Sequence, residues 1–135
     1  MNKAFKIVSL FVMVVVMAFL SSCTKSKEDQ IIGKWKCVSF IVYDGDETHD
    51  LTEFNQYIIE LRLDGSYYVG DQQMGTYTLE DSKLTMKDEE GDCVVYTITE
   101  LTDKKLVIRS IGSIDEEGYE PNEEGYYEIC VFEKI

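Results

Sequence analysis

Apolar and polar residues alternate with a period of two over nearly the whole chain from residue 33 onwards. This alternation is rich in β-branched and aromatic residues, which is typical of strands with one buried face. No stretch in this part of the chain has the 3.6-residue periodicity of an amphipathic helix. The pattern therefore predicts an all-β fold, with strands over residues 33–42, 55–63, 66–70, 74–80, 83–87, 93–100, 105–110 and 126–133.

Short turn signals connect these strands. Asp64-Gly65 predicts a two-residue hairpin, and Asp81-Ser82 predicts another tight connection. Consecutive strands joined in this way are antiparallel neighbours and form a meander. Because a sheet with one apolar face loses its open edges when it closes, the first strand should lie beside the last. We predict a single eight-stranded antiparallel up-and-down barrel.

The first 22 residues have the three parts of a secretory signal. Lys3 and Lys6 precede an apolar run over residues 7–20, and small residues follow that run. The run is shorter than the roughly 20 residues that a bilayer-spanning helix needs. Leu20-Ser21-Ser22-Cys23 resembles the lipobox of bacterial lipoproteins. The resemblance implies that residues 1–22 are removed, that Cys23 is lipidated, that residues 23–31 form an anchor and a short spacer, and that residues 32–135 form the barrel domain.

Gly33-Lys34-Trp35 resembles the Gly-x-Trp signature at the start of the first strand of lipocalins. Segments from Leu63-Asp64-Gly65-Ser66-Tyr67 to Lys105-Leu106-Val107-Ile108 resemble the lipocalin-like domains of small Bacteroidota lipoproteins. The resemblance implies that Gly33 lets the chain pass close to the barrel floor and that Trp35 plugs the floor. The sequence lacks the Thr-Asp-Tyr motif of lipocalins and an Arg in the last strand that would cover the tryptophan. A lipocalin ligand site therefore does not transfer residue by residue.

The inward phase of the alternation identifies a candidate lumen. If the barrel holds a ligand, the residues closest to it should be large apolar and aromatic side chains of this face. Small inward residues would leave space, and Gly75, Cys37 and Ser39 are the only clear ones, which favours a filled core over an open lumen. The candidate lumen residues are Tyr57, Ile59, Leu61, Tyr67, Tyr77, Tyr96 and Ile98.

The chain carries 26 acidic residues against 13 basic ones, a net charge of −13. Nucleic acid is an improbable partner for so acidic a chain. Because the odd-numbered connections of a meander share one rim, most of the acidic residues should meet at one end of the barrel, with lysines at the other. We predict an acidic mouth and a basic base. The candidate rim residues are Asp44, Asp46, Glu47, Glu89, Glu90, Glu116, Glu117, Glu123 and Glu124.

Residues for catalysis or metal binding are few. The single histidine, His49, lies in an acidic loop, and the chain has no Cys-x-x-Cys motif. Nucleophilic catalysis with a histidine base and a zinc site are both poorly supported. We predict a protein without enzymatic activity, cofactor or metal. Cys37, Cys93 and Cys130 allow either one disulfide and one free thiol or three thiols.

Two functions remain open. The barrel either binds a small, partly apolar ligand, or it is closed and its acidic rim binds a basic protein, as an inhibitor or an accessory subunit of a surface complex would. Lys27-Glu28-Asp29 resembles the export tag of Bacteroidota surface lipoproteins. We therefore expect a lipid-anchored protein of the outer membrane, exposed at the cell surface if the tag is read.

Overall fold

The computed structural model describes residues 26–135, so the expected signal peptide and Cys23 lie outside the described residues. One short helix and ten strands follow one another along the chain. Their bounds are α1 (Lys27–Ile31), β1 (Gly33–Asp44), β2 (Glu47–Asp50), a 3-10 turn (Thr52–Phe54), β3 (Ile58–Leu61), β4 (Ser66–Val69), β5 (Gln72–Glu80), β6 (Lys83–Asp88), β7 (Cys93–Leu101), β8 (Lys105–Asp115), β9 (Gly118–Pro121) and β10 (Tyr126–Lys134).

Eight of the strands close into a ring. The strands β3 to β8 each pair antiparallel with the next, and β3 also pairs with β1. The last strand, β10, pairs with β8 on one side and with β1 on the other. The prediction of a closed eight-stranded antiparallel barrel, with the first strand beside the last, is confirmed.

Two further strands lie in connections for which no strand is predicted. The C-terminal part of β1 extends beyond β3, and the chain folds back to pair with it as β2. In the same way, the C-terminal part of β8 pairs with β9. Glycines in the left-handed region allow these tight turns, Gly45 with φ 61° and Gly118 with φ 114°. Because β2 is exposed at all its positions, its sequence has no apolar alternation that would reveal a strand.

The predicted strand over residues 55–63 is longer than β3. Leu63, which continues the inward phase of Ile59 and Leu61 in the alternation, is 81% exposed. The Asp64 side chain ends the strand early, because Oδ1 accepts hydrogen bonds from the Ser66 backbone N–H at 3.0 Å and the Ser66 hydroxyl at 2.6 Å. Residues 62–65 therefore form the turn, and Leu63 points to solvent.

A bulge in β1 turns Ser39, a second residue that was expected to point inward, to the other face. The register with β10 shifts between Cys37 and Ser39, so one extra residue, Val38, is accommodated. After the shift, Phe40 pairs with Cys130 and packs against the core. Ser39 consequently lies on the outer face, although the uninterrupted alternation placed it inward.

The floor of the barrel is closed by α1 and Trp35. Ser26 caps the helix, and its last residue, Ile31, is buried in the core. Trp35 is 0% exposed, and its Nε1 donates a hydrogen bond of 2.8 Å to the Ile31 carbonyl. The segment expected to be a spacer therefore belongs in part to the barrel. Five residues are too few for helical periodicity to show in the sequence.

Lys134 covers Trp35 from the end of β10. Its Nζ lies 5.0 Å from the centre of the Trp35 ring and donates hydrogen bonds to the carbonyls of Ile32 at 2.9 Å and Gln30 at 3.3 Å. Gly33 makes room for this side chain, since a Cβ there would lie 2.7 Å from Lys134 Cε, and its φ of 137° suits only glycine. A lysine thus covers the tryptophan, where the lipocalin pattern has an arginine.

The buried core fills the lower part of the barrel, next to this floor. The packing includes side chains from the helix and from strands on opposite sides of the ring, so it links the closure of the barrel to the floor. The core cluster comprises Ile31, Trp35, Cys37, Ile59, Leu61, Leu84, Ile98, Leu106, Ile108, Cys130 and Phe132.

Replacing Trp35 with Ala should lower the free energy of unfolding by about 3 to 5 kcal/mol, because a fully buried indole leaves a cavity and the Ile31 carbonyl loses a donor. Chemical denaturation measures this change. Leu63→Ala is the matched control, since an exposed leucine should change stability by less than about 0.5 kcal/mol. Equal, small effects of the two substitutions would contradict the placement of Trp35.

Candidate functional site

An open cavity of about 300 Å³ lies in the upper half of the barrel. It is enclosed by β3 to β7 and the connection between β6 and β7, at the end away from α1. Aromatic and aliphatic side chains form most of its wall, and two carboxylates stand at its lip. The lining residues are Tyr57, Ile59, Tyr67, Val69, Met74, Met86, Asp88, Asp92, Val94 and Tyr96.

The strand register explains why these side chains meet. Tyr67, Gly75 and Asp88 are successive partners across β4, β5 and β6, so they share the inner face. At Gly75 a Cβ would collide with the Lys87 carbonyl, and only glycine permits this approach of β5 to β6. A bulge between Tyr67 and Tyr68 inserts Met74 into the lining.

The hydroxyls of three tyrosines in the cavity wall, Tyr57, Tyr67 and Tyr96, have no partner among the described residues, and those of Tyr57 and Tyr96 are the more deeply buried. Neither Tyr57 nor Tyr96 makes a side-chain hydrogen bond to any residue within 26–135, whereas the Tyr77 hydroxyl donates to the Arg62 carbonyl at 2.6 Å. No side-chain oxygen or nitrogen in the described part is both fully buried and unpaired, so both hydroxyls must reach the open space of the cavity. Burial raises the pKa of both phenols far above the usual value. They are therefore available as neutral hydrogen-bond donors.

The lip of the cavity is acidic. Asp88 Oδ1 accepts hydrogen bonds from the backbone N–H groups of Glu90 at 2.9 Å and Asp92 at 3.0 Å, which fixes the turn between β6 and β7. The Asp92 carboxylate makes no hydrogen bond or ion pair with any other described residue. Glu128, on the inner face of β10, contributes to the raised pKa of Tyr57 and Tyr96 through its negative charge. None of the lining residues is basic.

The candidate lumen residues divide between the cavity and the core. Tyr57, Ile59, Tyr67 and Tyr96 line the cavity. Leu61 and Ile98 lie in the buried core beneath it, and Tyr77 packs against that core. The candidate list missed Val69, Met74, Met86, Asp88, Asp92 and Val94. Val69 and Met86 follow the inward phase of the alternation in their strands, whereas Asp88 and Asp92 stand at strand ends, where no periodic signal exists.

The candidate rim residues form separate groups. The Gly45 backbone N–H donates to the Gly125 carbonyl at 3.1 Å, so the β1–β2 turn meets the segment before β10. This contact places Asp44, Asp46 and Glu47 near Glu123 and Glu124. Glu116 and Glu117 form the tip of the β8–β9 hairpin. Glu89 and Glu90 line a second, smaller pocket beside the cavity, together with Gln72, Gln73, Met74 and Asp88.

The opposite end carries the expected lysines, but acidic residues are mixed with them. Lys27 Nζ donates to the Ser82 hydroxyl at 2.9 Å. Because the two signs are mixed, the charges at this end largely balance. The acidic members are Glu28, Asp29, Asp64, Asp81 and Asp103, and the basic ones include Lys27, Lys34, Lys83, Lys104, Lys105 and Lys134.

All three cysteines of the described chain are free thiols. Cys37 and Cys130 are buried next to the cavity floor, and burial raises the pKa of both, that of Cys130 to about 12. Thiols that stay protonated are poor nucleophiles and poor metal ligands. Within residues 26–135, no three His, Cys, Asp or Glu side chains converge on a point where they could hold a metal ion. No helix in that range is long and apolar enough to cross a bilayer.

The comparisons with known proteins agree with the fold. No curated protein and no solved structure matches the chain significantly. A family model described as "Lipocalin-like domain" matches residues 31–108, which are more than half of the chain. The match begins at Ile31 in the floor and runs through the strands that enclose the cavity. With its closed antiparallel barrel and a tryptophan in the floor, the chain belongs to the lipocalin-like domain family.

Proposed function

We propose that this protein is a non-catalytic binding protein that takes one small, partly apolar ligand into the cavity of the barrel. The cavity is the observation that carries this proposal, because it is open at the mouth and lined mainly by aromatic and aliphatic side chains. Ligand sites in proteins have this composition, with a few polar groups that fix orientation. The lipocalin-like fold is of a ligand-binding type, which supports the same function.

The size of the cavity limits the ligand. A volume of about 300 Å³ is at the lower end of the range for small-molecule sites and equals the liquid volume of about ten water molecules. The filled core below prevents a long chain from passing deeper into the barrel. A compact molecule such as one substituted aromatic ring fits these dimensions better than a long fatty acyl chain.

The unpaired hydroxyls of Tyr57 and Tyr96 provide polar anchors. A ligand acceptor placed between them would replace the water that these groups otherwise bind, and hydrogen bonds in such a site favour one orientation. The walls formed by Ile59, Val69 and Val94 would cover the apolar part of the ligand.

Filling the cavity should abolish this binding. In Val94→Trp, an indole at the half-exposed lip occupies the space, so the Kd for 2-phenylethanol should rise at least about tenfold from the millimolar range expected for so small a ligand. Saturation-transfer difference NMR on the lipidated protein in nanodiscs measures this, with empty nanodiscs as the blank.

The control for this experiment is Val107→Trp. Val107 is a half-buried valine on the outer face of β8, where it pairs with Val131, so the substitution adds the same side chain outside the barrel. The Kd of Val107→Trp for 2-phenylethanol should equal that of the wild type. Unchanged binding in Val94→Trp, or equal loss in both variants, would contradict a site in the cavity.

We also propose that lipid at Cys23 anchors the protein to the outer membrane. At most about 14 Å of extended chain separates Cys23 from the start of α1 at the floor. The floor would therefore face the membrane, and the cavity would open away from it. The Lys27-Glu28-Asp29 segment, which resembles an export tag, supports a location on the cell surface.

Mass spectrometry of the wild-type protein should find a chain that begins at Cys23 and carries more than one acyl chain, since a single chain gives only reversible binding. Cys23→Ala should remove the acyl mass and the stable membrane attachment. Cys93→Ala is the control and should remain in the membrane fraction. A wild-type chain without acyl groups at Cys23 would refute the anchor.

The second candidate function is recognition of a basic protein by the acidic rim. It is favoured by the contact of Gly45 with Gly125, which gathers acidic residues from two connections at one place. Steering by exposed charges weakens as salt rises, because their range falls from about 8 Å at physiological ionic strength to about 3 Å at 1 M. Association that slows with salt and on neutralising Glu116, Glu117, Glu123 and Glu124 would support the rim, whereas an apolar ligand would bind equally at both salt concentrations.

A further inference from the structure

The charged side chains around the cavity are all acidic. Asp88 and Asp92 belong to its lining, and Glu128 lies on the inner face of the same barrel, at a position on β10 that pairs with Val42. Lys87 alternates with Asp88 and pairs with Thr76 on the outer face, and its Cε reaches Gly91 in the β6–β7 turn without lining the cavity. A molecule inside the cavity thus meets carboxylates and phenols without a compensating cation from the wall.

We infer that the cavity selects an organic cation, an amine joined to a compact apolar body, with Asp92 at the lip as the main partner of the charge. This inference rests on the proposed function of the cavity and names its ligand class. The amine would lie at the lip, and the apolar body would lie against Tyr67, Met86 and Val94.

The geometry distinguishes Asp92 from Asp88. Asp88 Oδ1 already accepts two backbone hydrogen bonds, so its carboxylate has a structural role in the turn. The Asp92 carboxylate makes no hydrogen bond or ion pair to the described residues, and it lines the cavity. A free carboxylate beside an apolar cavity gains an ion pair when a cationic ligand enters and pays little for desolvation, because the lip remains partly wet.

The walls of the cavity also suit a cation. Tyr57, Tyr67 and Tyr96 present aromatic rings, whose faces attract ammonium groups within about 6 Å. An anionic ligand could accept hydrogen bonds from the two phenols, but it would approach Asp88, Asp92 and Glu128, whose charges repel it. The sign of the wall charges therefore decides between the two classes.

Three probes of nearly the same shape test this inference: 2-phenylethylamine, 2-phenylethanol and 3-phenylpropanoate, which are cationic, neutral and anionic at pH 7. The full lipidated chain in nanodiscs is titrated with each. The amine should bind about tenfold more tightly than the alcohol, which is the lower end of what one carboxylate about 4 Å from a cation supplies in a partly solvated site. The anion should bind most weakly, and 1 M salt should reduce the preference for the amine.

Asp92→Asn should remove most of the tenfold preference and leave the Kd of 2-phenylethanol unchanged. Glu120→Gln is the matched control, because it removes the same charge at an exposed residue of β9 that does not line the cavity; it should change the amine Kd by less than about twofold. Equal binding of the three probes, or an amine preference that survives Asp92→Asn, would overturn the inference but leave the proposed function standing. No binding of any probe would instead refute the proposed function itself.

Discussion

The closure of the barrel by β10 is the constraint on which the other features depend. This strand pairs with β8 and β1 at once, so its inward residues Cys130 and Phe132 join the two ends of the meander. At its end, Lys134 reaches the carbonyls of α1 and the ring of Trp35. The floor and the closed wall therefore stabilise each other, and the barrel can open only at the far end.

The cavity follows from uneven filling of this barrel. Near the floor, large side chains from facing strands meet and leave no space. Towards the mouth, β1 and β8 turn back as separate hairpins, and bulges change the register. Barrels of eight strands have interiors that side chains can just fill or that hold one small ligand. This barrel is filled by side chains near the floor and has space for one small ligand near the mouth.

The sequence predicts the closed barrel and its inward face because a period of two survives wherever strands pair without interruption. Trp35, Leu61 and Ile98 follow that rule. The rule fails at bulges, where Ser39 turns outward and Met74 enters the cavity. Other features have no periodic signal: Asp92 stands in a turn, α1 is one turn long, and Lys134 acts through a contact with Trp35 that is distant along the chain. The fold was therefore more predictable than the polar part of the site.

Binding of a ligand in the upper half of the barrel can be measured directly through the methionine side chains. If the chain is cleaved before Cys23, Met74 and Met86 are its only methionines, and both line the cavity. A methyl NMR spectrum of protein labelled at the methionine methyls should therefore show two signals. We expect both to shift together as 2-phenylethylamine saturates the protein; saturation by the ligand with both signals unmoved would contradict a site in the cavity.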